Sequence, residues 1–159
     1  MVMTPNAAFL LAQVGAHSAE VFAELLEPLR LAPQHSGIIW MVRRSPGISQ
    51  QNMAATLRMH PSRLVSLLDE LEERGYVERR AKEDDRRVYA VHLTPAGEEM
   101  YAQIEKLSRQ HQDIVCAALS DAECRRLAEF LQRIAEEREL IVGVHPGYRW
   151  LGRRIKPRK

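Results

Sequence analysis

The sequence predicts a mainly α fold: six helices, with a small β-hairpin set between the fourth and the fifth. Three observations predict it. Apolar residues recur at three- and four-residue spacing in most of the chain, which is how a helix with one buried stripe reads. The third and fourth of these stretches are parted only by Arg58-Met59-His60, a link short enough for a helix-turn-helix. From Tyr76 to Leu93 the spacing changes to alternation around a charged centre, as expected of two strands and their loop.

The first helix is expected to start at Thr4-Pro5, where a hydroxyl can cap free N–H groups and proline tolerates the first turn. Phe9, Leu10, Val14, Val21, Leu25 and Leu29 follow at helical spacing, and Pro28 bends or ends the run. Leu11, Phe22 and Leu26 make it apolar on more than one side, which points to a partner helix or to burial within its own core. Ala32-Pro33 opens the second helix, with Ile38, Ile39, Met41 and Val42 inward. Ser45-Pro46-Gly47 is a turn, and Ile48 fits a single-residue strand.

Ser49 caps the third helix, whose apolar face is Met53, Ala54 and Leu57. The fourth starts at Pro61 and buries Leu64, Leu67, Leu68 and Leu71, leaving Ser62, Arg63, Ser66, Asp69 and Glu70 off the stripe. Gly75 ends it in a left-handed cap, with Arg74 placed against its C-terminal dipole. Tyr76-Val77 starts one strand, residues 79–87 form a charged loop, and Tyr89, Val91 and Leu93 return as the second. Thr94-Pro95 starts the fifth helix, with a seam of Tyr101, Ile104, Leu107, Ile114 and Val115. Ser120-Asp121-Ala122-Glu123 is a capping box for the sixth, which carries Leu127, Leu131, Ile134 and Ile141. Beyond Val144 the chain turns basic.

Composition narrows the class. At 159 residues the chain is one domain, or one with helical extensions. It can bury roughly 70% of its extended surface without disulfide staples. Hydrophobic residues at 45% and charged residues at 28% fit a soluble globular protein. A net charge of +2 and a pI near 8.7 do not by themselves indicate a polyanionic partner; the distribution of charge matters more. Cys116 and Cys124 cannot form a secreted disulfide framework, and the run from Ala7 to Val14 is too short to span a membrane, so a cytoplasmic protein is expected. The histidines are scattered without ligand spacing, so neither metal nor cofactor is expected. No nucleophile–base pair or glycine-rich phosphate loop marks an enzyme.

Helix, tight turn, helix and hairpin in succession read as a winged helix-turn-helix, spanning residues 34–97. The flanking segments, 1–33 and 98–159, read as a helical dimerisation region. The N-terminal end of the fourth helix can enter a major groove. Pro61, Ser62, Arg63 and Ser66 occupy it: the arginine suits guanine O6/N7, and the hydroxyls suit bases or phosphates. Arg79, Arg86 and Arg87, with Arg80 and Lys82, arm the hairpin for phosphates and the minor groove. A charged hairpin loop is also an ordinary solvated surface, so the consecutive order carries more weight than any one feature.

These residues resemble a known family. Asp85-Arg86-Arg87, five residues, Leu93-Thr94, two residues and Gly97 is similar to the wing signature of the MarR family, the multiple antibiotic resistance regulators. The turn Ser45-Pro46-Gly47-Ile48-Ser49, the string from Leu68 to Val77 and the order of six helices look like it too, over about Phe9 to Ile141. The resemblance implies a homodimeric regulator of transcription, often a repressor released by a small phenolic, aromatic or lipophilic effector, bound to a pseudo-palindromic double-stranded DNA operator. It implies that helices one, five and six interlock with a partner's, that Arg87 enters the minor groove, and that Asp85 and Asp69 orient wing arginines. It also implies an effector pocket where helices one, two and five meet, for which His17, Trp40, Arg44, Tyr101 and His111 are the candidates, each of which also reads as packing or surface.

The chain departs from the family pattern. Many relatives carry arginine or lysine at the places of Ser66 and Glu70, and a small polar residue at that of Val65. A glutamate beside phosphates is repulsive, so Glu70 is expected to point away or to pair with a base. Two other readings stay open: a protein-interaction adaptor that keeps the fold without DNA contact, and a regulator that senses oxidation through Cys116 or Cys124. The basic tail, with Tyr148 and Trp150, reads as a flanking-DNA contact, a frayed terminus or a partner contact.

Overall fold

The structure, a computed structural model, describes residues 6–82, 84–85, 87–141 and 143–145. Thr4-Pro5, Arg86 and the tail from residue 146 lie outside the described residues. Among the described residues the elements run α1 (Ala7–Leu26), a 3₁₀ turn (Glu27–Leu29), α2 (Pro33–Arg44), β1 (Ile48–Ser49), α3 (Gln50–Thr56), α4 (Pro61–Glu73), β2 (Val77–Ala81), β3 (Tyr89–Leu93), α5 (Pro95–Val115) and α6 (Asp121–Glu137).

Local chemistry sets most boundaries. Asn6 caps α1 by accepting the Phe9 N–H at 2.9 Å, two residues after the threonine expected to start it. Ser49 caps α3 through the Asn52 N–H at 3.1 Å, and Thr94 caps α5 through the Gly97 N–H at 3.0 Å. Ser120 and Glu123 bond reciprocally at the start of α6. Gly75, at φ +74°, closes α4 in the left-handed conformation that glycine adopts without steric cost.

The sheet has three strands in the order β1-β3-β2, all antiparallel. In the hairpin Val77 faces Leu93 and Ala81 faces Tyr89. Ile48 does not stand alone as a strand: Ser49 extends it, with Ile48 opposite Val91 and Ser49 opposite Ala90. The Gly47 N–H donates to the Val91 carbonyl at 2.9 Å, which carries the pairing back into the turn.

One core holds this arrangement together. Leu26, Ile38, Ile39, Met53, Leu64, Leu67, Leu68, Leu71, Val77 and Val91 are almost fully buried. The leucine stripe of α4 sits against α2, α3 and β2, so the opposite side of α4 is left to solvent. By contrast α1 buries only Leu26, and α6 buries nothing. The apolar residues of the first half of α1 and of α6 stay exposed, Phe9 at 58%, Phe130 at 46% and Ile134 at 49%.

Candidate nucleic-acid interface

The outward end of α4 is built by its cap. His60, the N-cap residue, accepts the Ser62 N–H on Nδ1 at 3.3 Å, and the Ser62 hydroxyl lies 2.7 Å from the same nitrogen. Pro61 takes the first helical position. Pro61, Ser62, Arg63 and Ser66 are all exposed. The turn before them bends at Arg58, which adopts φ +50°. Neither the His60 cap nor the left-handed Arg58 has a clear signal in the sequence.

The wing carries two arginines in different situations. Arg87 is 96% exposed at the tip, where Asp85 Oδ1 accepts its backbone N–H at 3.0 Å and lies 3.9 Å from its Nε. Arg79 is only 20% exposed. Its Nε donates to Glu72 Oε2 at 3.0 Å, its backbone N–H to Glu72 Oε1 at 3.1 Å, and its Nη2 to Asp69 Oδ1 at 2.7 Å and to Glu72. Arg79, expected from the sequence to meet DNA, therefore spends these donors on α4, tying the base of the wing to that helix. Hydrogen bonding to Arg79 holds the Glu72 carboxyl below the usual carboxylate range, and the bond to Glu72 raises the Arg79 guanidinium in turn. Asp69 serves the same clamp. Glu70 points to the other side of α4, with its Oε2 3.0 Å from His35 Nε2.

A trough of about 640 Å³ lies between α3, the start of α4 and the wing, walled by Ala54, Met59, Pro61, Val65, Arg87 and Tyr89. The apolar Val65 belongs to this wall.

The five candidate effector residues do not converge. A cavity of about 330 Å³ does lie among α1, the start of α2 and α5, but of the five only His111 lines it, with Ser18, Phe22, Pro33, Ser108 and His145. His111 Nε2 lies 3.1 Å from the Ser18 hydroxyl and 2.8 Å from the Ser18 carbonyl, and its ring tilts against Phe22 at 5.2 Å. His17, one residue from Ser18, is rotated about 100° away around the helix and is exposed. Trp40 lies under the Arg44 guanidinium at 4.9 Å, and Tyr101 under Arg43 at 5.6 Å. Cys116 and Cys124 approach each other at the α5–α6 turn. The hydrogen bond to Cys116 pushes the Cys124 thiol up, which lowers the thiolate fraction that oxidation needs.

A helix-turn-helix backed by a three-stranded sheet, with an arginine-tipped hairpin beside the second helix, defines a winged-helix protein. Residues 31–88 match the model of the MarR family. The chain is 36% identical over 105 residues, 65% of its length, to a Thauera aromatica protein whose name ties it to transcriptional regulation of the hcr operon, and it spans 63% of that protein. Its fold matches the crystal structure of an Escherichia coli MarR mutant complexed with operator DNA, with a TM-score of 0.67 and 23% identity over 79% of this chain and 90% of that one. It also matches a Mycobacterium tuberculosis MarR family protein in complex with salicylic acid, with a TM-score of 0.68 and 25% identity over 84% and 99% of the two chains. The chain is thus similar to members of the MarR family, most directly over residues 31–88.

Proposed function

We propose that this protein is a homodimeric, sequence-specific DNA-binding regulator of transcription. The observation that carries the reading is the joint exposure of Ser62, Arg63 and Ser66 at the free end of α4 and of Arg87 at the wing tip, beside the clamp of Arg79 that ties the wing to the same helix. A helix end inserted in the major groove leaves a hairpin tip beside it to reach the adjacent backbone and minor groove. The related E. coli protein is known in complex with operator DNA. Asp85 accepts the Arg87 backbone N–H, which fixes the backbone from which the exposed Arg87 side chain projects.

The dimer reading rests on α1 and α6. Helices whose large apolar residues remain at the surface are expected to bury them against a second copy. In a two-fold dimer the two heads would meet half-sites about one helical turn apart. Repression released by an effector is the regulatory mode we favour. The cavity beside His111 is the place for a small aromatic molecule with one polar group, in line with the salicylic acid complex of the M. tuberculosis relative.

Selection of bound genomic fragments, followed by anisotropy titration of the recovered duplexes, tests the central claim. Pseudo-palindromic sites bound by a species that sediments as a dimer are the expected result. Binding that is equal on all duplexes, or absent at low salt, overturns it and favours the adaptor reading.

A further inference from the structure

His35 and Glu70 face each other where α2 meets α4. His35 is 4% exposed. Its Nδ1 accepts the Ala32 N–H at 2.9 Å, and its Nε2 lies 3.0 Å from Glu70 Oε2. These contacts define the tautomer. A backbone amide only donates, so Nδ1 must present its lone pair. The proton of the neutral ring is then on Nε2, directed at a carboxylate that only accepts. Ala32 is the N-cap residue of α2 and has no polar side chain. The imidazole thus satisfies the start of α2 from one nitrogen and holds α4 from the other.

The hold acts on the helix that presents Arg63. Arg63 lies seven residues before Glu70, two turns along the same side of α4. A rotation that removed Glu70 from His35 would carry Arg63 through the same angle. The Arg74 guanidinium, at the C-terminal end of α4, donates to the Arg30 carbonyl just before α2. His35 and Arg74 thus join α4 to α2 and the segment before it, in addition to the buried leucine stripe and the Arg79 clamp, while Arg63 at its N-terminal end stays exposed.

We propose that His35 is a positioning residue for the recognition helix: its hydrogen bond to Glu70 sets the rotation of α4 and so the place at which Arg63 is offered. This deepens the proposed function and rests on it for the DNA readout. It also gives Glu70 a role other than DNA contact. The carboxylate is an acceptor for His35, not a repulsive group turned towards phosphate.

The attachment depends on the ring being neutral. A second proton would place an Nδ1–H against the Ala32 N–H. The charged groups facing His35 are Glu70, Arg74 and Arg63, all on α4; burial lowers the ring below the usual 6.5, Glu70 opposes this, and the two arginines add to it. The lowered direction leaves the bond complete above pH 6.5 and loses it as pH falls through the folded value.

The test uses the full chain with Glu70→Ala and Glu70→Gln, which keeps an acceptor. Long-range ¹⁵N–¹H correlation on the wild type is expected to report a neutral His35 protonated on Nε2 at pH 7.5; protonation on Nδ1 overturns the proposal. Affinity for a selected duplex is expected to fall about tenfold in Glu70→Ala and to change less than about twofold in Glu70→Gln. A mere acid near phosphate predicts the reverse, so unchanged or tighter binding by Glu70→Ala overturns the proposal. If the wild type binds no duplex, the proposed function fails and hydrogen exchange decides the positioning role. Faster exchange across Pro61–Glu73 in Glu70→Ala, but not in Glu70→Gln, upholds it; equal rates in both overturn it.

Discussion

Gly97→Ala is a perturbation whose cost follows from the coordinates. Gly97 sits in the first turn of α5, and a Cβ there would lie 2.0 Å from the Tyr76 carbonyl oxygen and 3.3 Å from the Leu93 Cβ. The obstructing atom is backbone and cannot swing aside. That same oxygen accepts the Thr94 N–H at 3.1 Å, so moving it strains the junction of wing and helix. Overpacking costs typically about 1–3 kcal/mol, and the disturbed hydrogen bond adds about 1 kcal/mol. The better helix propensity of alanine returns about 1 kcal/mol. A net loss of about 1–3 kcal/mol is expected, or roughly 2–4 °C in Tm for each kcal/mol in a protein of this size. Calorimetry at matched protein concentration measures it, since the proposed dimerisation would make Tm depend on concentration. A variant as stable as the wild type would refute the reasoning. The glycine of the wing signature would then have no packing role.

Other outcomes follow from the same geometry. Arg87→Ala is expected to weaken binding uniformly across duplexes and to lower the salt slope by about one, read from anisotropy across a salt series. Arg63→Ala is expected to lose about 1–3 kcal/mol of discrimination at one operator position, read from a set of single-base variants. Glu72→Gln removes a carboxylate whose folded pKa is depressed by Arg79, so its stability loss is full above pH 4.5 and shrinks as pH falls through the folded value; urea melts from pH 7 to 3 check the direction. Ile134→Asp places a charge on the exposed apolar side of α6, and sedimentation equilibrium is expected to shift from dimer to monomer.

Most of the fold was legible because its signals are local. Ser49, Thr94 and the Ser120–Glu123 pair cap their helices through hydrogen bonds spanning three residues. The leucines of α4 share a side because of helical repeat alone. The start of α1 is ambiguous in the sequence for a related reason: Thr4 and Asn6 are both good cap residue types, and the structure caps the helix with Asn6. Ile48 reads as a lone strand in the sequence because its partner, Val91, lies far along the chain.

The site was less legible. Arg79 and Arg87 look alike in the sequence, as charged residues of one hairpin. Folding places the first over Glu72 and Asp69, while the second projects from the tip. Likewise Trp40, Arg44 and Tyr101 are plausible pocket residues by type, but the first two stack on each other and the third lies under Arg43.

What the sequence determined alone is the order of helices and strands, the buried stripe of α4, and hence which residues that helix turns outward. These follow from backbone geometry repeated over a few residues. Only the tertiary structure decided which charges are spent inside the molecule. His35 meets Glu70 across 35 positions of chain, and Ser18 meets His111 across 93. A charged side chain carries no record of its partner in its neighbours, because hydrogen bonds and ion pairs act through space over a few ångströms and are settled when the helices pack.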